Sequence, residues 1–534
     1  MASVGAAAVA CAILIALRVL PDWMPLPRDD GFQYLSMAQN ALHCQIGYTS
    51  IVGFDEERSF GVVPAPAVTF PAGYPLMIAL VSLLGLPVEK AALLLSALSV
   101  LACLPILAWL VRRLDLSAPI RLAVLAAFAI NALVTKHGAT AMSDSLFTLL
   151  VLAGAALLVD ASLKPGEGRR WTWLGVGLAF GAAYFVRYAG LFLAIGLALL
   201  LVRHLLARDR ALLRGYALAL TVAGAAVAVG VARNLVLVGS WQGGNQMAVP
   251  HELIPVVLAS GQALNGIFVY GPGLSNDVAT VVARVLCLGL FYLGVLILAW
   301  GYLRRRSAPA SQPPPSRVGF VVFDLLLLSV VYGAGMFYAA LTSPISYGVR
   351  MFLPVLPLLF VSIGFGVDRM LRAVPRPSVL GRLARLALVA SFVPYVFLNV
   401  SGPREPPVLD MPAVAAAFDA IGPANESARD VIDRLAGADG VVLANEGHVI
   451  GYELQKRTVT LVSREFSVVD WTEPNVRAVV DGFHVSAVVI TRGIRPGEQD
   501  DFASSFIAEL ASGTAPPWLQ LVYRSSQILV YAPL

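Results

Sequence analysis

The chain reads as a polytopic α-helical membrane protein carrying a small α/β domain at its carboxyl terminus. Three observations predict this. The 534 residues are 58% hydrophobic and 13% charged, against about 45–50% and about 25% in soluble domains. Apolar stretches of about 17–25 residues, each long enough to cross a bilayer, recur as far as residue 400. The remainder has an ordinary soluble composition. The expected division is a membrane domain over 1–402, with a large first loop at 22–89, and a soluble domain over 403–534.

Eleven spans are expected, near 4–21, 90–111, 118–135, 145–163, 171–187, 188–206, 215–238, 279–303, 318–341, 351–371 and 383–400. The loops after the second, fourth, sixth, eighth and tenth are basic. They carry Arg112 and Arg113, Lys164 with Arg169 and Arg170, Arg203 to Arg214, Arg304 to Arg306, and Arg369 to Arg385. Short basic loops stay in the cytoplasm, so all five agree if the amino terminus is inside. The chain opens with no basic n-region and no convincing cleavage site, so the first span is expected to be an uncleaved anchor. The net charge of +5 therefore reports topology and not a nucleic-acid surface. Cys11, Cys44, Cys103 and Cys287 are too scattered for a disulfide framework or a metal cluster.

Residues 71–86 are apolar enough to pass for a further span. Counting them would place every later basic loop outside. They are expected instead to form a short, Pro-capped helix at or re-entering the outer surface. The loop 22–89, Asp144, the loop 239–277, Arg350 and the soluble domain then all face outward.

In the soluble part, 403–416 is proline-rich and reads as a linker, followed by a helical pattern to about 436. Strand-like runs follow at 441–444, 458–462, 485–491, 519–523 and 527–531, with helical segments near 473–482 and 500–512. Such alternation predicts a small α/β domain. It holds no Gly-rich phosphate loop and no metal spacing. Asn445-Glu446-Gly447-His448 ends a predicted strand and reads as a strand-to-helix turn or a ligand contact.

The chemistry-bearing residues lie in the outward segments. Asp29 and Asp30 follow the first apolar segment and open Asp29-Asp30-Gly31-Phe32-Gln33-Tyr34. Asp30 and Gln33 have capping-box spacing, which accounts for Asp30 and leaves Asp29 without a structural role. A carboxylate there can take a proton from an acceptor hydroxyl or amine as general base, with Asp29 favoured. Asp144 begins the fourth span behind Ser143. It fits helix capping, with Ser143 as N-cap, and it equally fits a group that orients an acceptor, bonds a sugar or binds a divalent cation. His137 is expected in the same short loop, where a lone histidine is more often solvated than ligating. Arg187-Tyr188 interrupts an apolar run from Leu178 to Leu201. An arginine there needs a partner, either an outer carboxylate or a lipid-linked phosphate that suits its guanidinium fork. Arg350, ahead of Pro354 and Pro357, poses the same choice, and Arg233 beside Asn234 can also snorkel from a helix end.

Together these stretches resemble the GT-C superfamily of integral-membrane glycosyltransferases, which includes protein O-mannosyltransferases, lipid A aminoarabinose transferases and rhizobial lipopolysaccharide-core galacturonosyltransferases. Asp29-Asp30 with Tyr34, Ala38 and Asn40 is similar to that family's acidic motif in the first outer loop. Pro71-Ala72-Gly73-Tyr74-Pro75-Leu76 resembles its proline-rich segment, and Ser143-Asp144-Ser145-Leu146-Phe147 its second acidic motif. Arg187-Tyr188-Ala189-Gly190 resembles its basic residue before Tyr-x-Gly, and Arg350 with Pro354 and Pro357 its late Arg-x-x-x-Pro-x-x-Pro element. The likeness runs over most of 1–400 and more loosely over the tail.

The resemblance implies a GT-C-like bundle of about eleven spans in a bacterial inner membrane, and a polyprenyl-phosphate-linked sugar donor. It also implies inverting transfer on the outer face to an envelope lipid, polysaccharide or protein. Asp29, Asp30 and Asp144 become the catalytic candidates. Tyr34, His137, Arg187, Tyr188, Arg233 and Arg350 become the substrate-binding ones. No organic cofactor is implied; a divalent metal is compatible with the superfamily and no ligand set is assigned. Two departures bear on this. The first motif is Asp-Asp where many members have Asp-Glu, which leaves the identity of the base open. Trp-Trp-Asp-Tyr-Gly is absent, which argues against glycan transfer onto asparagine. A transporter or flippase is the alternative, and it would place ionisable residues at mid-membrane in paired broken halves. A non-catalytic envelope protein would leave the acid-and-arginine set unexplained.

Overall fold

The computed structural model describes residues 2–19, 29–53, 61–164, 169–241, 251–266, 278–306, 317–342, 348–374, 378–401, 421–422, 426–461, 470–492 and 505–534. The expected linker at 403–416 lies outside them, as do stretches of the loops 22–89 and 239–277.

The first half runs α1 (Ala2–Ala16), α2 (Asp29–Leu42), β1 (Tyr48–Thr49), β2 (Ile51–Gly53), β3 (Ala65–Pro66), α3 (Gly73–Ser82), α4 (Val88–Arg113), α5 (Ala118–Ile130), α6 (Ala132–Gly138), α7 (Asp144–Leu163), α8 (Arg170–Val186), α9 (Leu191–Leu206) and α10 (Arg210–Val238). The bundle continues with α11 (Leu253–Gly266), α12 (Val278–Arg306), α13 (Arg317–Thr342), α14 (Leu356–Ala373) and α15 (Val379–Val396). The tail holds α16 (Glu426–Ala436), β4 (Val441–Ala444), α17 (Gly447–Glu453), β5 (Arg457–Thr460), α18 (Glu473–Gly482), β6 (Val485–Thr491), α19 (Phe506–Ser512), β7 (Leu519–Arg524) and β8 (Ile528–Pro533).

Among the described residues, eight helices are long and apolar enough to cross a membrane, and the bent pair α5–α6 makes a ninth. Two further expected spans are shorter: α1 has 15 residues and α8 has 17, against about 20 for an upright crossing. The expected straight span at 118–135 is broken. Asn131 leaves the helical region at φ −58°, ψ 124°, its side chain accepts from Leu133 N and Val134 N, and the axis turns by 50°. That turn feeds α6 into the middle of the molecule. The segment 71–86 yields α3, whose 10 residues extend only about 15 Å.

α7 is the centre of the bundle, packed between α4 and α8 and against the 3₁₀ turn Val349–Val355. Its two ends differ in kind. At the end holding Asp160, the basic-loop arginines find acids: Arg113 lies 2.8 Å from Asp160, Arg169 also pairs with Asp160, and Arg203 pairs with the buried Asp324. The end holding Asp144 lies about 24 Å away along the helix and faces α2.

The tail forms a six-stranded sheet, ordered β2-β5-β4-β6-β8-β7, with β2, β5, β4 and β6 parallel and β8 and β7 antiparallel. Strand residues alternate between its faces. Val442, Ala444, Ala487 and Val489 pack with α16 and α17 into the core shared with the bundle. Val441, Leu443, Val488 and Ile490 pack against residues of α18 and α19. One edge strand, β2, comes from the first loop near residue 50, although the strands expected from sequence all lay beyond 440.

Candidate active site

The site is built where α2 meets the head of α7. Two glycines permit the approach. A Cβ at Gly31 would stand 3.2 Å from Ala141 O, and one at Gly73 only 2.5 Å from Phe185 O, so α2 and α3 seat against backbone rather than side chains. One turn along α2, the buried Tyr34 hydroxyl lies 3.1 Å from Ser143 Oγ. Burial pushes that phenol up to about 12, and the nearby Arg187 pulls the other way. Tyr34 also stacks edge-on against Phe70 and Tyr74, which holds its ring in place.

Two acid–arginine pairs flank this contact. Arg350 Nη1 donates to Asp30 Oδ2 at 3.1 Å; the two side chains are 28% and 27% exposed, so this pair stands at the mouth. Deeper in, Arg187 Nη1 lies 3.0 Å from Asp144 Oδ2, and the Asp144 side chain is 1% exposed. Arg187 also donates to Ser143 Oγ at 3.2 Å. Ser143 therefore joins the two halves: Tyr34 on one side, Arg187 on the other. Arg187 stands at the break between α8 and the 3₁₀ turn Tyr188–Gly190, with extended backbone at φ −149°, ψ 133°. Its backbone N–H still closes the last turn of α8 on Ala183 O at 2.9 Å, and the extended backbone beyond directs the guanidinium at Asp144 and Ser143.

Several expectations change. The capping box at Asp30 and Gln33 does not form: both residues lie inside α2, Asp30 turns to Arg350, and Gln33 Oε1 accepts from Thr49. Ser143 makes no cap bond at the start of α7. His137 is not a solvated loop residue. It ends α6, is buried, and places Nδ1 3.7 Å from Asp144 Oδ2. Asp144 is held chiefly by charge, with Arg187 Nη1 at 3.0 Å and His137 Nδ1 at 3.7 Å from the same oxygen. Asp29 heads α2, and its side chain lies outside the described residues.

No family model matches the chain, and no curated protein matches it either. Solved structures do. ArnT from Cupriavidus metallidurans, in the apo state, aligns over 99% of this chain and 97% of its own, at 14% identity and a TM-score of 0.54; ArnT bound to undecaprenyl phosphate gives 0.52. The oligosaccharyltransferase AglB from Archaeoglobus fulgidus, in complex with an inhibitory peptide and a dolichol-phosphate, aligns over 92% of this chain and 69% of its own, at 12% identity and a TM-score of 0.55. The arabinofuranosyltransferase AftD from Mycobacteria aligns over 99% of this chain and 41% of its own, at 15% identity and 0.53. The chain has the GT-C fold.

Within that fold, two expected site residues stand apart from the cluster. Arg233 donates to Gly47 O at 3.1 Å and to Ala67 O at 3.3 Å. Tyr188 donates to Val68 O at 3.0 Å and meets Asn234. Both clamp the backbone of the first loop. The cluster also contains residues that no motif in the sequence marks as partners: Ser143 as a bridge, and Met351, whose sulfur lies 3.9 Å from Arg187 Nη2. The Ser-Asp-Ser run pointed at Ser143; nothing local marks Met351. Among the described residues, no three His, Cys, Asp or Glu side chains gather to hold a metal ion. At the site itself, Asp144 has His137 at 3.7 Å and Arg187 at 3.0 Å, surroundings that favour its ionised form.

Proposed function

We propose that this chain is a membrane glycosyltransferase that moves a sugar from a polyprenyl-phosphate donor to a hydroxyl or amine acceptor of the cell envelope. The observation that carries the reading is the pairing of Asp30 with Arg350 and of Asp144 with Arg187, joined through Tyr34 and Ser143 at one end of a bundle. Structures of the same fold contain undecaprenyl phosphate or dolichol-phosphate, which supports a lipid-linked donor. Arg113, Arg169, Arg203 and Arg372, from four of the five basic loops, find their acids at the opposite end, which supports an outward-facing site with the amino terminus inside a bacterial inner membrane.

The chemistry follows from the residue types. Asp29 takes the acceptor's proton as general base. The acceptor oxygen or nitrogen bonds to the anomeric carbon from the face opposite the phosphate, so the configuration inverts. The bond from that carbon to the phosphate oxygen breaks, and its electron pair leaves with the polyprenyl phosphate. Asp30 is assigned to hold Arg350, because it already accepts from that guanidinium. Each guanidinium has five N–H groups, and those not directed at a carboxylate can stabilise the leaving phosphate. Asp144, set beside Arg187 and His137, is assigned to accept from a sugar hydroxyl.

The test is direct. Purified protein in lipid nanodiscs is given labelled polyprenyl-phosphate sugars with envelope lipid, polysaccharide or protein acceptors. Labelled acceptor and released polyprenyl phosphate are expected, and neither in Asp29→Asn. Movement of the labelled lipid between leaflets without sugar transfer would favour the flippase instead.

A further inference from the structure

The soluble sheet is completed by a strand that arrives from the far end of the sequence. β2 pairs in parallel with β5, Ile51 opposite Thr458 and Val52 opposite Val459. Thr458 N extends the ladder by donating to Ser50 O at 2.8 Å. Ile51 and Val52 are buried, one in each of the two cores that the sheet separates.

The residues just before this strand are bonded to α2. Thr49 Oγ1 donates to Gln33 Oε1 at 2.9 Å. Ser50 N donates to Ser36 Oγ and Ser50 Oγ donates to Asn40 Oδ1, both at 3.1 Å. Gln33, Ser36 and Asn40 recur at the spacing of one helix face. Asp30 and Tyr34 stand about 100° round the same helix, directed at Arg350 and Ser143. A second tie comes from α17. The ring of Tyr452 lies 5.6 Å from that of Phe32, and its hydroxyl donates to Glu89 at the head of α4. The helix that carries the acidic pair is thus held on one side by the bundle and on another by the soluble domain.

We propose that the carboxyl-terminal domain positions α2 for the reaction, by holding β2 and with it the adjoining Thr49–Gln33 bond, and by the contact of Tyr452 with Phe32. Thr49 and Tyr452 are positioning residues: neither touches the acid–arginine pairs, and both set the rotation of the helix that bears Asp30 and Tyr34. The inference rests on the glycosyl-transfer reading above. Its physical basis is that reacting groups lose rate steeply with small misplacement, about 100-fold for an ångström, whereas donor affinity is spread over many contacts.

The experiment uses the full chain in nanodiscs. It measures kcat and donor KM for Thr49→Val, Thr49→Ser and Tyr452→Leu, which removes the ring from Phe32, with hydrogen exchange of the α2 amides as a readout independent of activity. Thr49→Val keeps the shape and loses the hydroxyl; Thr49→Ser keeps the hydroxyl. Thr49→Val and Tyr452→Leu are expected to lower kcat about tenfold, with a smaller rise in donor KM through Asp30 and Arg350, and to speed exchange along 33–40. Thr49→Ser is expected to retain kcat within about twofold. Unchanged kcat in both deletion variants overturns the proposal, as does a Thr49→Ser as slow as Thr49→Val, or a change confined to KM. A wild-type protein inactive with every lipid-linked sugar counts against glycosyl transfer alone. The exchange data then still judge the coupling, which fails if α2 protection is the same in all four proteins.

Discussion

Arg187 Nη1 lies 3.0 Å from Asp144 Oδ2, joining the end of α8 to the start of α7, with the carboxylate almost wholly removed from solvent. Deleting one partner of such a pair strands a buried charge, at a cost of about 3–5 kcal/mol. Asp144→Ala is therefore expected to lower the melting temperature sharply. Arg187→Met in the same chain should recover much of that loss, because it removes the stranded cation. Neither protein should transfer sugar. Thermal melting alongside the nanodisc assay checks this, and recovery of activity in the double variant would return the pair to a purely structural role.

Arg187 and Arg350 should differ in what they do for the donor. Both are expected to bind lipid phosphate, but Arg350 stands at the mouth and Arg187 is tied to Ser143 and Asp144. Arg350→Ala should weaken binding of a polyprenyl phosphate about tenfold or more with little change in melting. Arg187→Ala should lower both donor affinity and melting temperature. Titration with the lipid phosphate decides; unaltered affinity in both would remove the arginines from donor binding.

The acidic pair separates by role. Asp29→Asn is expected to abolish transfer while donor affinity stays within about twofold. Asp30→Asn should weaken donor binding as well, since it loosens Arg350. Full transfer by Asp29→Asn with none by Asp30→Asn would reassign the base to Asp30.

Tyr34 makes a pH prediction. Burial raises its hydroxyl to about 12 in the folded protein, against about 10 in an unfolded chain. A raised value means that the folded state holds its proton longer than the unfolded state. The associated stability is complete below about 10 and falls away as the pH climbs toward about 12. Tyr34→Phe should be less stable at neutral pH by about 1 kcal/mol, from the lost Ser143 bond, and should lose less stability between pH 10 and 12. Denaturation midpoints across that range test it. An alkaline slope identical to wild type would mean that Tyr34 does not control it.

The soluble domain should not stand well alone. A fragment beginning at 421 lacks β2, which exposes the edge of β5 and uncovers core otherwise closed by Ile51 and Val52. It is expected to aggregate, as open sheet edges do. Fusing residues 48–53 ahead of it through a flexible linker should restore a monomer by light scattering.

Much of this protein is legible without coordinates. Apolar length, arginine placement and strand alternation are local quantities, set by hydrophobic burial and helix or strand period, and they located the bundle helices and the tail strands. They also single out Asp29, Asp30 and Asp144 at the edges of spans, and Arg187 and Arg350 beside them, because a charge next to or inside an apolar run is conspicuous. His137 was misjudged because solvation was inferred from its neighbours in sequence, whereas the break at Asn131 buries α6. Arg233 reads as a cation at a helix end, and Tyr188 as part of the Tyr-x-Gly element that the family resemblance supplies. They turn instead to backbone carbonyls of a loop more than a hundred residues away.

Composition and periodicity thus decided which segments enter the bilayer, where the arginines gather and which acids are costly enough to matter. Partnership was decided only by folding. Asp30 meets Arg350 across 320 positions and Tyr34 meets Ser143 across 109, and β2 leaves the first loop to complete a sheet four hundred residues downstream. Contacts at such separations are chosen by the packing of whole helices and by the need to pair every buried charge and strand edge. Neither is a property of any stretch of chain read singly.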